Sequence, residues 1–592
     1  MHPSRVTAMD ALPPELTELN VLTLNCWGLL YISAQRATRL EAIGRAIASA
    51  TPTPHIVALQ ECWTQEDYHS IRRSTRPILP YGKFYFSGAF GGGLAILSRW
   101  PIEESSMYRY PLNGRPTAFF RGDWFVGKGV ASAKIRFGRG HRDIVEVFNT
   151  HTHPKYEKDG HDTYVAHRLS QAWELAKLLR GAAARGHLVL ALGDFNEVPL
   201  SLSHRIITSH APVHDVWRIL HPDSSLGAAE EDLERARRRP IPTAQFNIEE
   251  NGATSNSVYN TWRWPKSQQK KLGPGRERDW PEIAPDTLDH KGKRLDYIFA
   301  SSGNFEGENP GWGWVVHDAR VGMLQRHSEL GCSLSDHFSV EATLVLHQAG
   351  STPSSSHSRH HPRDHSSIPY PPGRATSVAE TRGTEIQETD LENGVYLHMS
   401  PTTSEMHLPE SGPGGGGGGG GDRPRNHLNA YPSSSFSAQL RAMAQPVSHL
   451  PSGTYDEILA HIEAYTARER FQRRWRGVHF GTWVVVAAVC YVGVWWTPRW
   501  AGFVLTLLCS LGLAAGVVDG LVALLFVGAE LRALREFEWE IRNAKASATG
   551  AGGPAFEFDG VGAGDDEAGE VGGEQPGRSV SRGADGGREK RW

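Results

Sequence analysis

The chain has 592 residues, with 62 Lys and Arg against 65 Asp and Glu and a net charge of −3. That length exceeds one hydrophobic core, so one large domain with appendages is expected, and the near-neutral balance argues against a protein built to coat nucleic acid. Cys26, Cys62, Cys332, Cys490 and Cys509 are scattered, with no CxxC pair, which argues against a disulfide framework or a zinc site and for a reducing surrounding.

Residues 1–20 carry no apolar stretch of secretory type. From 19 to 347, short apolar runs alternate with longer amphipathic segments. Residues 21–24, 55–59, 94–97, 144–148, 188–192 and 295–299 read as buried strands, and 34–50 and 162–179 as helices with apolar residues three and four apart. Mixed strands and helices over this length predict an α+β or α/β sandwich. Residues 348–453 are rich in Ser, Pro, His and Gly and include an unbroken glycine run at 414–421; a flexible linker is expected. Residues 455–476 read as an amphipathic helix ending in Arg468, Arg470, Arg473, Arg474 and Arg476. Two apolar stretches follow, 478–496 and 501–527, separated by Thr497-Pro498-Arg499-Trp500. Each is long enough to cross about 30 Å of hydrocarbon as a helix. The alternative is a buried hairpin of a soluble domain; Trp495, Trp496 and Trp500 favour a membrane hairpin. Asp519, the one charge in the second stretch, is expected to face the partner helix or the interface. Arginines outside both ends, including Arg532, Arg535 and Arg542, put both ends and the large domain in the cytosol, with the endoplasmic reticulum as default and a mitochondrial membrane as the alternative. Residues 547–592 are Gly- and acid-rich and are expected to be a disordered tail.

Six polar stretches sit where strands end or begin. They are Leu24-Asn25-Cys26-Trp27-Gly28, Gln60-Glu61-Cys62-Trp63, Asn149-Thr150-His151-Thr152-His153, Gly193-Asp194-Phe195-Asn196, Arg294-Leu295-Asp296-Tyr297 and Leu334-Ser335-Asp336-His337. Such residues project into one mouth of a sandwich, where a metal compensates clustered carboxylates. Glu61, Asp194 and Asn196 are hard oxygen donors, suited to Mg²⁺ rather than zinc. Asp296 and His337 form a candidate acid–histidine pair, in which the carboxylate fixes the imidazole tautomer and raises its basicity. His151 is a candidate donor to a phosphate or a leaving group. Singly, Glu61 reads more readily as a surface carboxylate, Asp–His pairs such as Asp296–His337 also occur in structural networks, and His153 also reads as a loop residue; the six together favour a site.

In this order the motifs resemble the endonuclease/exonuclease/phosphatase superfamily. Residues 24–28, 121–128 and 166–175 are similar to the neutral sphingomyelinases. The hairpin resembles their membrane-bound branch, which includes the fungal inositol phosphosphingolipid phospholipases C. The resemblance covers 19–347 and 455–542. It implies a four-layered α/β/β/α catalytic domain and a Mg²⁺-dependent phospholipase C. The substrates implied are inositol phosphoceramides, sphingomyelin or both, and the products ceramide and a phosphorylated headgroup, in sphingolipid catabolism and ceramide signalling. It further implies Glu61 as Mg²⁺ ligand with Asp336 in support, and His337 as general base oriented by Asp296. Asn196, with Asp194 beside it, holds the phosphate; Asn25 positions metal or phosphate, and His151 assists the leaving alkoxide.

Gly122 to Gly129 nearly spells a P-loop, but Gly129 stands where a hydroxyl is needed, so nucleotide binding is rejected. In the resembling group a like segment is needed for activity through its Asp and Lys, here Asp123 and Lys128. Lys128 reads either as a phosphate contact or as a surface lysine. The arginines beside the hairpin suggest anionic phospholipids as activators. Rival readings are a nuclease or deadenylase, an inositol-polyphosphate 5-phosphatase, and a non-catalytic lipid-binding domain. The first is disfavoured by the hairpin, by Trp27, Trp63 and Trp124 in loops, and by the lack of a basic patch interleaved with aromatics. The second is disfavoured by Arg-Leu-Asp-Tyr where that group carries Trp-Cys-Asp-Arg, and the third by the full set of acids, amides and histidines.

Overall fold

The computed structural model describes residues 16–140, 143–157, 162–303, 311–348, 433–444 and 449–550. Most of the expected linker and the tail from 551 lie outside these residues.

In chain order the described strands are β1 (Glu18–Asn25), β2 (Ile56–Gln60), β3 (Tyr81–Tyr85), β4 (Leu94–Ser98), β5 (Ile102–Arg109) and β6 (Gly129–Arg136), then β7 (Ile144–His151), β8 (Leu188–Asp194), β9 (His214–Asp215), β10 (Asp296–Ala300), β11 (Trp312–Gly322) and β12 (Ser339–Gln348). They form two six-stranded mixed sheets, ordered β11-β12-β1-β2-β4-β3 and β5-β6-β7-β8-β10-β9. The six strands expected from sequence lie at the centres of these sheets, where both faces are buried. β5 was not legible as a strand: Ile-Glu-Glu-Ser-Ser-Met-Tyr-Arg is largely exposed at a sheet edge, so no apolar run marks it.

Period-two alternation divides β1 between two cores. Leu19 and Val21 face the second sheet, with Ile96, Val147 and Leu190. Leu22 and Leu24 face outward onto α1 (Arg36–Ala48) and α2 (Gln65–Thr75), through Leu40, Ile43 and Ile71. Thr64 caps α2 by accepting from the Asp67 amide. Beyond the second sheet lie α3 (Val165–Ala184) and α4 (Leu202–His210), which pack Leu169, Leu175 and Ile206 against it. The result is the α/β/β/α sandwich expected.

The C-terminal half of the chain adds α5 (Ser433–Met443), α6 (Ser452–Gly493), α7 (Arg499–Leu521) and α8 (Gly528–Ala548). Two expectations are corrected here. Residues 433–443, read as linker, are helical: Leu440 and Met443 are buried, and Gln439 accepts from the Val316 amide at 2.7 Å. This adds partners to β11, an edge strand whose Trp314 amide also donates to the Ser302 carbonyl at 2.8 Å. The amphipathic helix and the first apolar stretch are one 42-residue helix. No proline or cap interrupts 476–478, so nothing stops the helix there. Between α7 and α8 the chain widens into a π-helical turn, Val522–Val527.

The helices are not left free by the linker. Tyr455, Ile458 and Ile462 of α6 and Leu534, Phe537 and Ile541 of α8 join the core over α3. Six such side chains contribute on the order of 10 kcal/mol before ordering entropy is subtracted, enough to dock the helices on the sandwich. Above this contact, α6 and α7 are long and apolar enough to cross a membrane. Trp483 fills the space at Gly512, where a Cβ would lie 2.0 Å from its ring. Asp519 faces α6 as expected, pairing with Arg476 and with His479 Nδ1 at 2.8 Å.

Candidate active site

β1 runs parallel to β2 and β7 to β8, whereas β12 and β10 pair antiparallel with β1 and β8. The ends of β1, β2, β7 and β8 and the starts of β10 and β12 therefore meet at one end of the sandwich. Asp194 stands at the centre, in register with His151 on one side and Asp296 on the other.

Amides join the two sheets here. Asn25 Nδ2 donates to Glu61 Oε1 at 3.1 Å and to Asp194 Oδ2 at 3.0 Å. Gln60 Nε2 donates to Asn149 Oδ1 at 2.7 Å, and Asn149 Nδ2 donates to the carbonyls of Leu59 and Ala95. Trp27, Glu61 and Asn196 hold φ of 49°, 52° and 49°, a left-handed backbone that costs a non-glycine residue on the order of 1–2 kcal/mol. The Gly28 amide donates to the Glu61 carbonyl at 3.0 Å, and a Cβ on Gly28 would lie 2.3 Å from that oxygen. Only glycine lets the two loops approach so closely.

His337 Nδ1 lies 2.8 Å from Asp296 Oδ2, and its Nε2 points back to Asp194 Oδ2 at 3.9 Å. His151 Nε2 approaches the same oxygen at 3.7 Å. Donor atoms of Asp194, Asp296 and His337 lie within 4.8 Å of one another. Glu61 Oε2, Asp296 Oδ1 and Asp336 Oδ1 are buried without a hydrogen-bond partner. Asp336 Oδ2 is 3.7 Å from Arg263.

Burial, and then the charge of Asp336, pushes the Glu61 carboxyl up to about 7, and burial pushes Asp194 up to about 6. Burial also disfavours a charged His337, but Asp296 and Asp194 outweigh it and hold the imidazole well above its ordinary value. His151 is held well below it by burial and then by Lys128, so it is neutral. Unpartnered buried carboxylate oxygens beside raised carboxyls mark a place that lacks positive charge, and an all-oxygen set with one imidazole fits a hard divalent cation.

Asp123 and Lys128 form a second limb. Asp123–Val126 is a single helical turn, and Gly129 begins β6. Lys128 is 4% exposed, which corrects the surface-lysine reading. Its Nζ donates to the Thr152 carbonyl at 3.1 Å and lies 3.7 Å from Asp123 Oδ1. Asn196 Nδ2 donates to that same carbonyl at 3.1 Å, so one peptide oxygen joins this limb to the Asp194 loop. Burial lowers Lys128 and raises Asp123 despite their pairing. His153 is also buried, stacked on Tyr164 and 3.5 Å from Asp123 Oδ2; it props this limb.

Sequence reasoning missed Arg39. It lies beneath Trp27 and Trp262 and donates to the carbonyls of Cys26, Trp27 and Leu334. It thereby ties the loop after β1 to the loop before β12. Ser335 Oγ adds a bond to the Asn25 carbonyl at 2.5 Å. Arg39 carries no local signal, because its bond to Leu334 spans 295 positions; Ser335 lies within the stretch already singled out, but its partner Asn25 is 310 positions away.

Residues 22–337 match the endonuclease/exonuclease/phosphatase family. The chain is 44% identical over 329 residues to an inositol phosphosphingolipid phospholipase C of Schizosaccharomyces pombe, covering 56% of this chain and 69% of that one. It is 27% identical over 550 residues to the Saccharomyces cerevisiae protein of the same name, covering 89% and 90%. It is 32% identical over 199 residues to human sphingomyelin phosphodiesterase 2, covering 34% and 46%.

Proposed function

The chain belongs to the endonuclease/exonuclease/phosphatase family, and we propose that within it the chain is a Mg²⁺-dependent phospholipase C that cleaves ceramide from the phosphorylated headgroup of membrane sphingolipids. The observation that carries this reading is the buried His337–Asp296 pair facing the carboxylates of Asp194 and Glu61. The names of the relatives support the substrate class.

Glu61, with Asp336 beside it, would hold the cation, which when bound offsets charge on the phosphoryl oxygens and tempers the carboxylate field on His337. Asp296 keeps the proton on His337 Nδ1, leaving Nε2 to take one from an attacking water. Asn196 and Lys128, sharing the Thr152 carbonyl, orient the phosphate. Asn25 keeps Glu61 and Asp194 apart at fixed positions. Neutral His151 offers an N–H to the leaving oxygen. The water oxygen bonds to phosphorus as its proton passes to His337, the bond from phosphorus to the ceramide oxygen breaks, and that oxygen takes up the proton that His337 then releases. The ceramide released makes this a step of sphingolipid catabolism and ceramide signalling.

The arginines on α6 support a cytosolic catalytic domain, with the endoplasmic reticulum the default membrane, and Arg470 and Arg474, both exposed, support binding of anionic phospholipid. The test is turnover of sphingomyelin and inositol phosphoceramide, side by side, by the purified full-length protein. Ceramide release that EDTA abolishes and Mg²⁺ restores is expected. Undiminished activity without metal, or hydrolysis of RNA or DNA at rates matching the lipid, overturns the reading.

A further inference from the structure

Two loops of the sandwich expose phenylalanine to solvent. Phe86 and Phe90 follow β3, and Phe119 and Phe120 precede the Asp123 turn; Phe120 is fully exposed. The loops are one structure. The Phe90 amide donates to the Phe125 carbonyl at 3.2 Å, and a Cβ on Gly127 would lie 2.6 Å from the Gly88 nitrogen. Phe125 collects the rings, meeting Phe119 edge-on at 5.1 Å and Phe90 at 5.7 Å. Such a cluster of exposed aromatics is unusual on a surface that faces only water.

The cluster is continuous with the hairpin. Trp124 touches Phe125 at 5.0 Å and meets Phe526 edge-on at 4.9 Å. Phe526 lies in the π-helical turn that ends the second apolar stretch, seven residues and roughly 10 Å of helix rise beyond Asp519. Leu524 and Leu525 beside it are exposed. Apolar surface therefore runs from the candidate membrane span through Trp124 onto both loops. The same segment continues from Phe120 to Asp123 and Lys128, at the phosphate limb of the site.

We propose that the 86–90 and 119–125 loops form an interfacial foot, inserted in the bilayer that holds the hairpin. The mouth of the site then opens on the membrane plane, and a lipid reaches it laterally with its acyl chains still in the bilayer. The occupant of this surface is a phospholipid bilayer, chosen over a protein partner because the surface joins the span without a break. The inference rests on the membrane and lipid-substrate readings above.

The experiment uses the full-length protein reconstituted in phosphatidylcholine vesicles. An environment-sensitive dye is placed at Phe120→Cys, with unsubstituted protein as labelling background and Glu41→Cys on α1 as a control site in the opposite outer layer. The expected result is a blue-shifted dye at 120 that doxyl-labelled phosphatidylcholine quenches, and an unquenched dye at 41. The double variant Phe119→Ser, Phe120→Ser is expected to lose about tenfold or more of its turnover on vesicles while keeping turnover in detergent micelles. Phe120 is fully exposed and Phe119 is exposed apart from its ring contact with Phe125, so retained turnover in micelles also checks that the fold is kept. An aqueous dye at 120 in protein that is itself membrane-inserted overturns the foot. So does protection of 120 in detergent that varies with protein concentration, which would mean that a second copy covers it. Quenching at 120 in a protein that turns over no sphingolipid keeps the foot and rejects the substrate.

Discussion

His337 and Asp296, 41 residues apart in the chain, are joined by a 2.8 Å hydrogen bond inside the mouth of the sandwich. The carboxylate fixes which imidazole nitrogen carries the proton, so its charge matters more than its shape. Asp296→Asn is expected to lower turnover by roughly 10²–10⁴-fold with an unchanged thermal transition. A variant of near-normal activity would remove the general-base assignment, and His337→Ala should match its loss.

Asn25 is the donor shared by Glu61 and Asp194. In Asn25→Ala both buried carboxylates lose a hydrogen bond, at a cost of about 1–3 kcal/mol. The expected outcome is a lower melting temperature in EDTA, partly recovered by Mg²⁺, and a higher Mg²⁺ requirement for activity. Melting that is independent of metal in both proteins would contradict the cation site.

Asp215 receives two bonds from Arg294, at 2.9 and 2.8 Å, and lies 3.1 Å from His204. Burial alone would raise its carboxyl, but Arg294 and His204 outweigh it and hold it well below the usual range. A depressed carboxyl stabilises the fold above its unfolded pKa of about 4 and loses that contribution as pH falls below it. Asp215→Asn strands a buried guanidinium and is expected to cost about 3–5 kcal/mol at pH 7. The gap to the unsubstituted protein should narrow progressively below about pH 4. Denaturant melts across pH check this, and a constant gap would refute the electrostatic cause.

Arg115 clasps the C-terminal helices. It donates to Tyr465 Oη at 3.0 Å and to the Thr163 side chain and carbonyl, and it lies 3.8 Å from Glu469. Arg115→Ala is expected to raise amide exchange in 452–466 and 530–545 by about tenfold or more while the sheets stay protected. Uniform exchange across the molecule would show that the helices and the sandwich unfold as one unit.

The central strands were legible because burial on both faces writes an apolar run into the sequence, as at 188–192. The polar stretches after them were legible because six of them occur together at strand ends, although each acid, amide or histidine alone has a structural reading. Edge strands such as β5 were not, since an exposed strand keeps polar residues. Nor was the helix at 433–443, in which Leu440 and Gln439 find their partners on β11, more than a hundred positions away.

Local chemistry along the chain was enough to specify the acid–histidine pair, the oxygen donors and two segments long and apolar enough for a bilayer. Register and packing settled the rest. Asp194 stands between His151 and Asp296 because β7 and β10 flank β8. Lys128 is a buried partner of Asp123 rather than a surface charge. The hairpin is docked on the sandwich, with Trp124 against Phe526. Each of these depends on contacts between residues far apart in the chain, and no pattern of local periodicity records such contacts.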